Sequence, residues 1–497
     1  MKVQSAIEKG KEERSKRFKI CRYISLAIWV IYMIAVIFLM YTIVNSGMVP
    51  MKYEIIVGVV AAAIAVGFGA VIIRKKHGMV PLIIMDVIMA ILIGAVAFVV
   101  PKVNSLDDFL DKNMSTDYKI DTYYVLAKKD SSFGKVKDLE GHTVNYINDR
   151  DDDKLTKKIN KEIPSVSLTE EKDTSKGMST VATDPSYVLV ANSGYYDQQE
   201  SVDENYPKKV KILGKFTIKT KIKKRSGNTD VTKDPFVIYV SGIDTRSGQM
   251  DARSLSDVNI LMAVNPKKKK ILMVHIPRDY YVKIHGTNDT LKDKLTHAGV
   301  RGGVEMSMST IEDLMDTKIN YYARVNFNAV VNLVDALGGI DLNNDQSYSF
   351  SCWTNRSCVF RPGINSNVSG KCALAFARER HAYQTGDRHR GENQEQVITK
   401  VLNKMTSSKT ILSKYNDILD SLNGLFETSL SSDDISKLVK MQLNDMSSWD
   451  ISTYNVDGTT GMNYTASYPS QKLSVMEPNQ ETVETAKKKI DEITGED

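Results

Sequence analysis

The chain has 497 residues, 42% of them hydrophobic and 25% charged, with 66 lysines and arginines against 60 aspartates and glutamates. That length accommodates two or three domains at roughly 100 to 200 residues each, and the composition excludes disorder and collagen. A formal net charge of +6 gives no ground for a nucleic-acid scaffold, which needs a concentrated basic face.

Three apolar runs crowd the first hundred residues: Tyr23 to Val44, Ile55 to Ile73, and Met79 to Val100, the last broken only by Asp86. At about 1.5 Å per helical residue each run crosses a hydrocarbon core of roughly 30 Å, so three transmembrane helices are predicted. Met40 to Val49 offers no small-residue cleavage site, and the first helix is expected to be retained. Lys2, Lys9, Lys11, Arg14, Lys16, Arg17, Lys19 and Arg22 precede the first run, and Arg74, Lys75 and Lys76 fill the second loop, whereas the first loop holds only Lys52. By the positive-inside rule the N-terminus and second loop are cytoplasmic, and everything after Val100 lies outside. Asp86 has no cationic partner in the other spans, so an interhelical hydrogen bond is expected there rather than an ion path.

Beyond the membrane, 101–117 reads as a polar stalk and 118–222 as a small α/β accessory domain. Its signals are the apolar runs Thr122 to Ala127, Thr143 to Ile147 and Ser186 to Ala191, with Val136 to Gly141 between. The segment faintly resembles half of a solute-binding domain but carries no ligand motif, so a spacer or protein-contact role is expected. A basic linker at 223–235 follows, then a larger domain at 236–497. Cys352 and Cys358, with five residues between them in a polar loop on the oxidising side, are expected to close a short disulfide. Cys372 opens an apolar run and reads as a buried small hydrophobe, and Cys21 as inert at the membrane edge.

In the larger domain three strands are predicted in succession, Phe236 to Gly242, Val258 to Val264 and Ile271 to Ile276. If they are antiparallel neighbours, the first strand's exit, the second's entrance and the third's exit share one sheet edge. Asp244, Asp257 and Arg278 then converge. Two carboxylates with hard oxygen donors suit Mg²⁺ completed by phosphate and water oxygens, although either acid taken singly reads equally as a turn cap. Val304, Met308, Ile311 and Met315 mark one helix, and Asn328 to Leu337 another that stops at Gly338-Gly339.

A cationic cluster follows. Asp387, Arg390 and Gln394 fall at i, i+3 and i+7, at the head of an apolar stripe of Val397, Ile398 and Val401, so on a helix they point inward. Arg378 and Arg380 would share one side of an extended exit after Ala377. Four arginines (278, 378, 380 and 390) suit an anion of several charges, because guanidinium forks bind phosphate bidentately and stay charged. A surface ion-pair network with Glu379, Asp387 and Glu392 is the alternative of equal weight. Val330, Val331, Leu333, Val334, Val397, Ile398 and Val401 are candidate walls for a lipid tail, or ordinary core. His297 reads as helix packing.

These stretches together resemble the LytR-CpsA-Psr family of wall-polymer phosphotransferases. The resemblance is carried by Gly242 to Arg246, Ser256 to Asn259, Asn265-Pro266, Ile276 to Val282, Lys294 to Ala298, Leu333 to Ile340, Ala377 to Arg380, and Gly386-Asp387 through Arg390 to Gln394. The layout resembles capsule-type members with an accessory domain. The fold implied is α/β: three transmembrane helices, the small accessory domain and a larger α-β-α catalytic domain with a mixed central sheet. The resemblance implies Mg²⁺ (or Mn²⁺) on Asp244 and Asp257. It implies polyprenyl pyrophosphate gripped by Arg278, Arg378, Arg380, Arg390 and Gln394, with Asp387 at the same site. Asp387 or Asp257 would accept the attacking hydroxyl's proton. One departure is Leu255, where the family usually has arginine; Arg253 is the nearest replacement. The activity implied is transfer of a capsular, teichoic-acid-like or other wall glycopolymer from polyprenyl pyrophosphate to a peptidoglycan hydroxyl, at a Gram-positive type cell membrane and with no nucleic-acid partner. A lipid-pyrophosphate pyrophosphatase and a non-catalytic membrane sensor or assembly module are the rivals.

Overall fold

The computed structural model describes all residues except 1, 48, 75–77, 114–117, 150–152, 222–228, 245–249, 385, 406–413, 415–416, 446 and 496–497. The chain divides into two compact units, Met1–Asp111 with Ser432–Met446, and Lys112–Ser431 with Ser447–Asp497.

In the first unit α1 (Lys2–Ser46), α2 (Met51–Ile73) and α3 (Met79–Asn113) follow one another, and Lys9–Ser46, Met51–Ile73 and Met79–Pro101 are each long and apolar enough to cross a membrane. Their contacts bury Tyr32, Ala65, Leu82 and Met89. Ser25 Oγ donates to Asp86 Oδ2 at 2.8 Å, the interhelical bond expected of a lone intramembrane acid. The polar segment after Val100, read as a stalk, is helical over most of its length: α3 contains Pro101 and continues to Asn113. The proline forfeits one backbone bond without stopping a helix that is continuous on both sides.

In the second unit the accessory sheet is built from β1 (Tyr118–Lys128), β2 (Thr143–Tyr146), β3 (Ser167–Glu170), β4 (Val188–Asn192) and β5 (Val210–Lys221), ordered β3-β2-β4-β1-β5. The stretch at Val136 forms a short 3-10 turn, Val136–Leu139. Helix α4 (Lys154–Glu162) packs Leu155 and Ile159 on one face, while α5 (Thr174–Thr183) and α6 (Ser193–Val202) pack Met178, Val181 and Tyr196 on the other. A short helix, α7 (Tyr206–Lys209), precedes β5.

The larger sheet contains β6 (Phe236–Ile243), β7 (Val258–Asn265) and β8 (Lys270–His275). After the short pair β9 (Tyr281–Val282) and β10 (Asp293–Lys294) come α8 (Leu295–Met315), β11 (Tyr321–Asn326) and α9 (Phe327–Ala336). Short strands β12 (Ile340–Asn344), β13 (Phe350–Ser351), β14 (Val359–Phe360) and β15 (Gly363–Val368) lead to α10 (Gly370–Ala377) and α11 (Asp387–Met405). The chain ends with β16 (Phe426–Thr428), then α12 (Ser432–Asp445), which belongs to the first unit, and, back in the second, β17 (Asp450–Asn455), the hairpin β18 (Gly458–Thr465) and β19 (Tyr468–Pro478), and α13 (Gln480–Thr494). The strand order is β16-β11-β6-β7-β8-β17. β6–β7 and β7–β8 are antiparallel, whereas β11–β6 and β8–β17 are parallel. α8 and α13 bury Val304, Met308, Ile311, Val483 and Ile490 against one face; α9, α10 and α11 cover the other, giving the expected α-β-α layering around a mixed sheet. α9 stops where Gly338 and Gly339 take φ of 78° and 82°, a backbone that glycine adopts without a Cβ penalty.

Cys358 pairs with Cys372, not with Cys352. Cys352 is a buried free thiol, pushed up to about 12 chiefly by burial. The correction follows from the fold: Cys372 sits in the first turn of α10, beneath the β13–β14 loop, so the bridge ties loop to helix, a proximity that spacing along the chain does not reveal.

Candidate active site

Strand polarity brings the exits of β6, β8, β11 and β17 to the edge where β7 enters. The Asp257 N–H donates to the Gly242 carbonyl at 2.9 Å, which fastens the entrance of β7 to the exit of β6. Asp244, Asp257 and Arg278 therefore lie on one edge, as the strand pattern predicts. Arg278 Nη1 meets Asp257 Oδ1 at 2.6 Å, and Arg378 Nη1 lies 3.5 Å from Asp244 Oδ2.

Helix α11 presents the next layer. Arg390 and Gln394 are buried, at 8% and 5% exposure, and Val397 and Val401 continue the same face into the core. Gly391 permits this approach: a Cβ there would lie 2.6 Å from the His275 ring at the end of β8. Burial, helped by the Arg390 charge, pushes His275 down to about 4, against a partly opposing hydrogen bond with Gln394. Burial raises Asp279, but Lys294, Arg278 and Arg390 outweigh it and hold the carboxyl below its usual value. Arg278 and Arg390 thus share a carboxylate neighbour although they stand 112 positions apart in the chain.

The remaining predicted residues divide. Arg378 is the C-cap of α10 in a helical conformation, φ −101° and ψ −4°, so the exit after Ala377 is not extended and the two-apart rule for Arg378 and Arg380 does not apply. Arg378 is carried to the site by the helix end, with its guanidinium 5.3 Å above the Phe327 ring. Arg380 is exposed beside His381, Nε to Nε2 at 3.5 Å. The side chain of Asp387 lies outside the described residues. Glu379 is buried and accepts from the backbone N–H groups of Trp353, His381 and Ala382, while Glu392 pairs with His389 and Arg388. Those bonds account for the two acids of the rival ion-pair network without drawing in Arg278, Arg378 or Arg390. Arg253 does not replace the arginine missing at Leu255. It reaches Asp149 of the accessory domain, Nη1 to Oδ2 at 2.5 Å, and lies 3.6 Å from Asp121, while Leu255 is buried. Buried His297 bonds Asp293 at 2.6 Å, the packing role expected of it.

Beneath the charged edge lies a cavity of about 340 Å³ between the sheet and helices α9 to α11. Val330, Leu333, Val397, Ile398 and Val401 line it, with Arg378 and Gln394 the polar residues among its walls. Val331 and Val334, the other two candidates for a greasy slot, are not on its walls; Val334 is wholly buried in the neighbouring cluster. Leu333, Val397 and Val401 also belong to the buried cluster beside it, so these side chains serve both as core and as walls of the cavity.

Sequence reading missed Asp279, Lys294, His275 and Glu395. Asp279 directly follows Arg278 and was readable as its charge partner. Glu395 was hidden because it is adjacent to the polar stripe of α11; burial, with Glu392 nearby, pushes it up to about 8 despite hydrogen bonds to Thr453 and Asn455. The donor set fits a divalent ion in one respect: Asp244 and Asp257 offer hard oxygens from hydrogen-bonded strand ends, open to further ligands from a phosphate and water. No cluster of three or more metal-ligating side chains occurs among the described residues.

A model of the LytR_cpsA_psr family matches residues 193–490, and the chain belongs to that family. The match begins inside the accessory segment, upstream of the Phe236 boundary that the motifs suggested. A polyisoprenyl-teichoic acid–peptidoglycan teichoic acid transferase of Enterococcus faecalis is 33% identical over 244 residues, 49% of this chain and 74% of that protein. Biofilm regulatory protein A of Streptococcus mutans is 35% identical over 240 residues, 46% of this chain and 59% of that protein. Among solved structures, a protein of Streptococcus agalactiae is 28% identical, covering 55% of this chain and 92% of that one, with a TM-score of 0.47.

Proposed function

We propose that this chain is a membrane-anchored phosphotransferase. It moves a teichoic-acid-like or capsular glycopolymer from polyprenyl pyrophosphate to a peptidoglycan hydroxyl, on the outer side of the membrane. The observation that carries the reading is the apolar cavity opening beside Arg378 and Gln394, a charged grip at the mouth of a lipid-sized slot. Family membership supports the transfer chemistry, and the E. faecalis relative's name supports a polyisoprenyl donor and a peptidoglycan acceptor. The lysine and arginine bias of the N-terminus and second loop supports the orientation.

Arg278, Arg378 and Arg390 neutralise the pyrophosphate oxygens, with Arg380 at the rim and Gln394 donating an amide N–H. The acceptor oxygen forms a bond to the polymer-bearing phosphorus, and the bond from that phosphorus to the bridging oxygen breaks. Polyprenyl phosphate leaves with the electron pair, stabilised by guanidinium groups already oriented before the reaction. The acceptor proton passes to a carboxylate. Asp257, ion-paired to Arg278, and Asp387 are the two candidates for that role. Asp244 and Asp257 would hold Mg²⁺ or Mn²⁺, which when bound supplies further neutralisation of phosphate charge.

Full-length protein in nanodiscs, given labelled lipid-linked oligosaccharide and peptidoglycan fragments, should yield a phosphodiester and polyprenyl phosphate. Arg278→Ala should reduce turnover by about 100-fold or more, the usual consequence of removing one preorganised charge donor, and EDTA should abolish it. Release of polymer phosphate regardless of acceptor would make the protein a hydrolase instead.

A further inference from the structure

The accessory sheet has a crevice of its own. Its parallel strands β2, β3 and β4 are followed by α4 on one face and by α5 and α6 on the other, so the winding reverses between β2 and β4. Ligands of such open sheets bind outside the strands' carboxyl ends at this reversal. Part of the crevice is filled by this chain itself, because Arg253 of the larger domain ion-pairs with Asp149, three residues after β2. Beside it, where β3 feeds the N-terminus of α5, a cavity of about 390 Å³ lies between the accessory and larger domains.

Gln198 of α6 makes this more than a helix end. It lines the cavity at 3% exposure, and its Nε2 has no hydrogen-bond partner among the described residues. A buried amide donor left unpaired carries an uncompensated desolvation cost, which a ligand oxygen in the cavity would recover. Tyr195 and Tyr468 also line the cavity, and Tyr468 Oη donates to Gln199 Oε1 at 3.1 Å across the seam. Met178 supplies an apolar spot on the same walls. Charges are balanced: Arg301 is ion-paired with Asp289, and Lys172 stands beside Asp173.

We infer that this seam cavity is a saccharide-binding site, separate from the arginine cluster, that takes an uncharged N-acetylated glycan segment. The partly exposed Tyr195 ring meets a pyranose face, the Gln198 amide donates to an acetamido carbonyl, and the edge of Met178 on the cavity wall receives the methyl. The balanced lining disfavours a polyanion. The inference goes beyond the transfer reading, since binding here needs no chemistry at the sheet edge.

Isothermal titration of the full chain in nanodiscs with N-acetylchitotetraose tests it, with maltotetraose as the acetamide-free comparison. Saturable binding of the first is expected, at least tenfold weaker in Gln198→Ala, absent in Ser175→Trp, whose indole fills the cavity mouth, and unchanged in Arg278→Ala. The plugged variant keeps the test valid if Gln198→Ala unfolds. No saturable binding, equal affinity in both cavity variants, equal affinity for maltotetraose, or loss in Arg278→Ala would each overturn the assignment. Failure of glycopolymer transfer would leave this result untouched, so the two readings fall separately.

Discussion

Glu395 and His275 show how burial sets chemistry one side chain at a time. His275 is held neutral with its pKa lowered to about 4, and Glu395 is held protonated with its pKa raised to about 8. Above pH 6.5 the unfolded glutamate is already ionised while the folded one keeps its proton, so stability falls as pH rises from 6.5 to 8. Between pH 4.5 and 6.5 the unfolded histidine gains a proton that the folded one refuses, and the two slopes oppose each other. Below 4.5 the histidine alone remains, and stability falls as the medium is acidified towards 4. The unfolding midpoint should therefore decline from pH 6.5 to 8 in the parent chain and stay nearly flat over that interval in Glu395→Gln. A matching decline in the variant would show that Glu395 ionises normally. Neither shift was legible in the sequence, because each depends on what the tertiary fold packs over the residue.

Among the elements, α10 and α11 do the most. They wall the apolar cavity and bring Arg378 and Gln394 to it, with Arg390 buried one helical turn before Gln394. A Val401→Trp side chain should fill the slot, raising KM for a long-chain prenyl pyrophosphate donor roughly tenfold or more as buried methylenes are excluded, with a short-prenyl donor little affected. Equal effects on both donors would place the lipid elsewhere. The disulfide from Cys358 to Cys372 anchors the first turn of α10. Cys372→Ser should lower stability by about 2 to 4 kcal/mol, the usual worth of a bridge closing a short loop, and Cys352→Ser should leave the bridge intact. Thiol counting under denaturing, non-reducing conditions checks the pairing directly. The helical register of α11 was readable from the spacing of Arg390, Gln394, Val397 and Val401. The helical cap at Arg378 was not, since two residues between Ala377 and Arg380 suit a turn as well as a strand.

At the scale of the molecule, Arg253 couples the accessory domain to the larger one. Burial raises the Asp149 carboxyl even though Arg253 draws it back, and Asp149 with Asp121 raises the Arg253 pKa against burial. Removing one partner of a buried pair strands the other charge, at a cost of about 3 kcal/mol or more. Arg253→Ala should therefore speed hydrogen exchange around β1 and the start of α6 by on the order of 100-fold, while the paired centre of the larger sheet keeps its protection. Unaltered exchange at the seam would show that the two domains are held by other contacts.

Composition and local spacing determined much about this protein by themselves. The three apolar spans, the strand segments whose ends carry Asp244, Asp257 and Arg278, and the inward stripe of α11 are all legible within single segments, whereas the antiparallel pairing that aligns those strand ends was only a condition until the fold supplied it. Tertiary structure alone decided which cysteine closes the bridge, where Arg253 goes, that the valines of α9 and α11 surround a void, and that Gln198 faces a seam between domains. Those outcomes depend on the position of one element relative to another distant in the chain, a quantity set by the packing of whole layers and carried by no local pattern of residues.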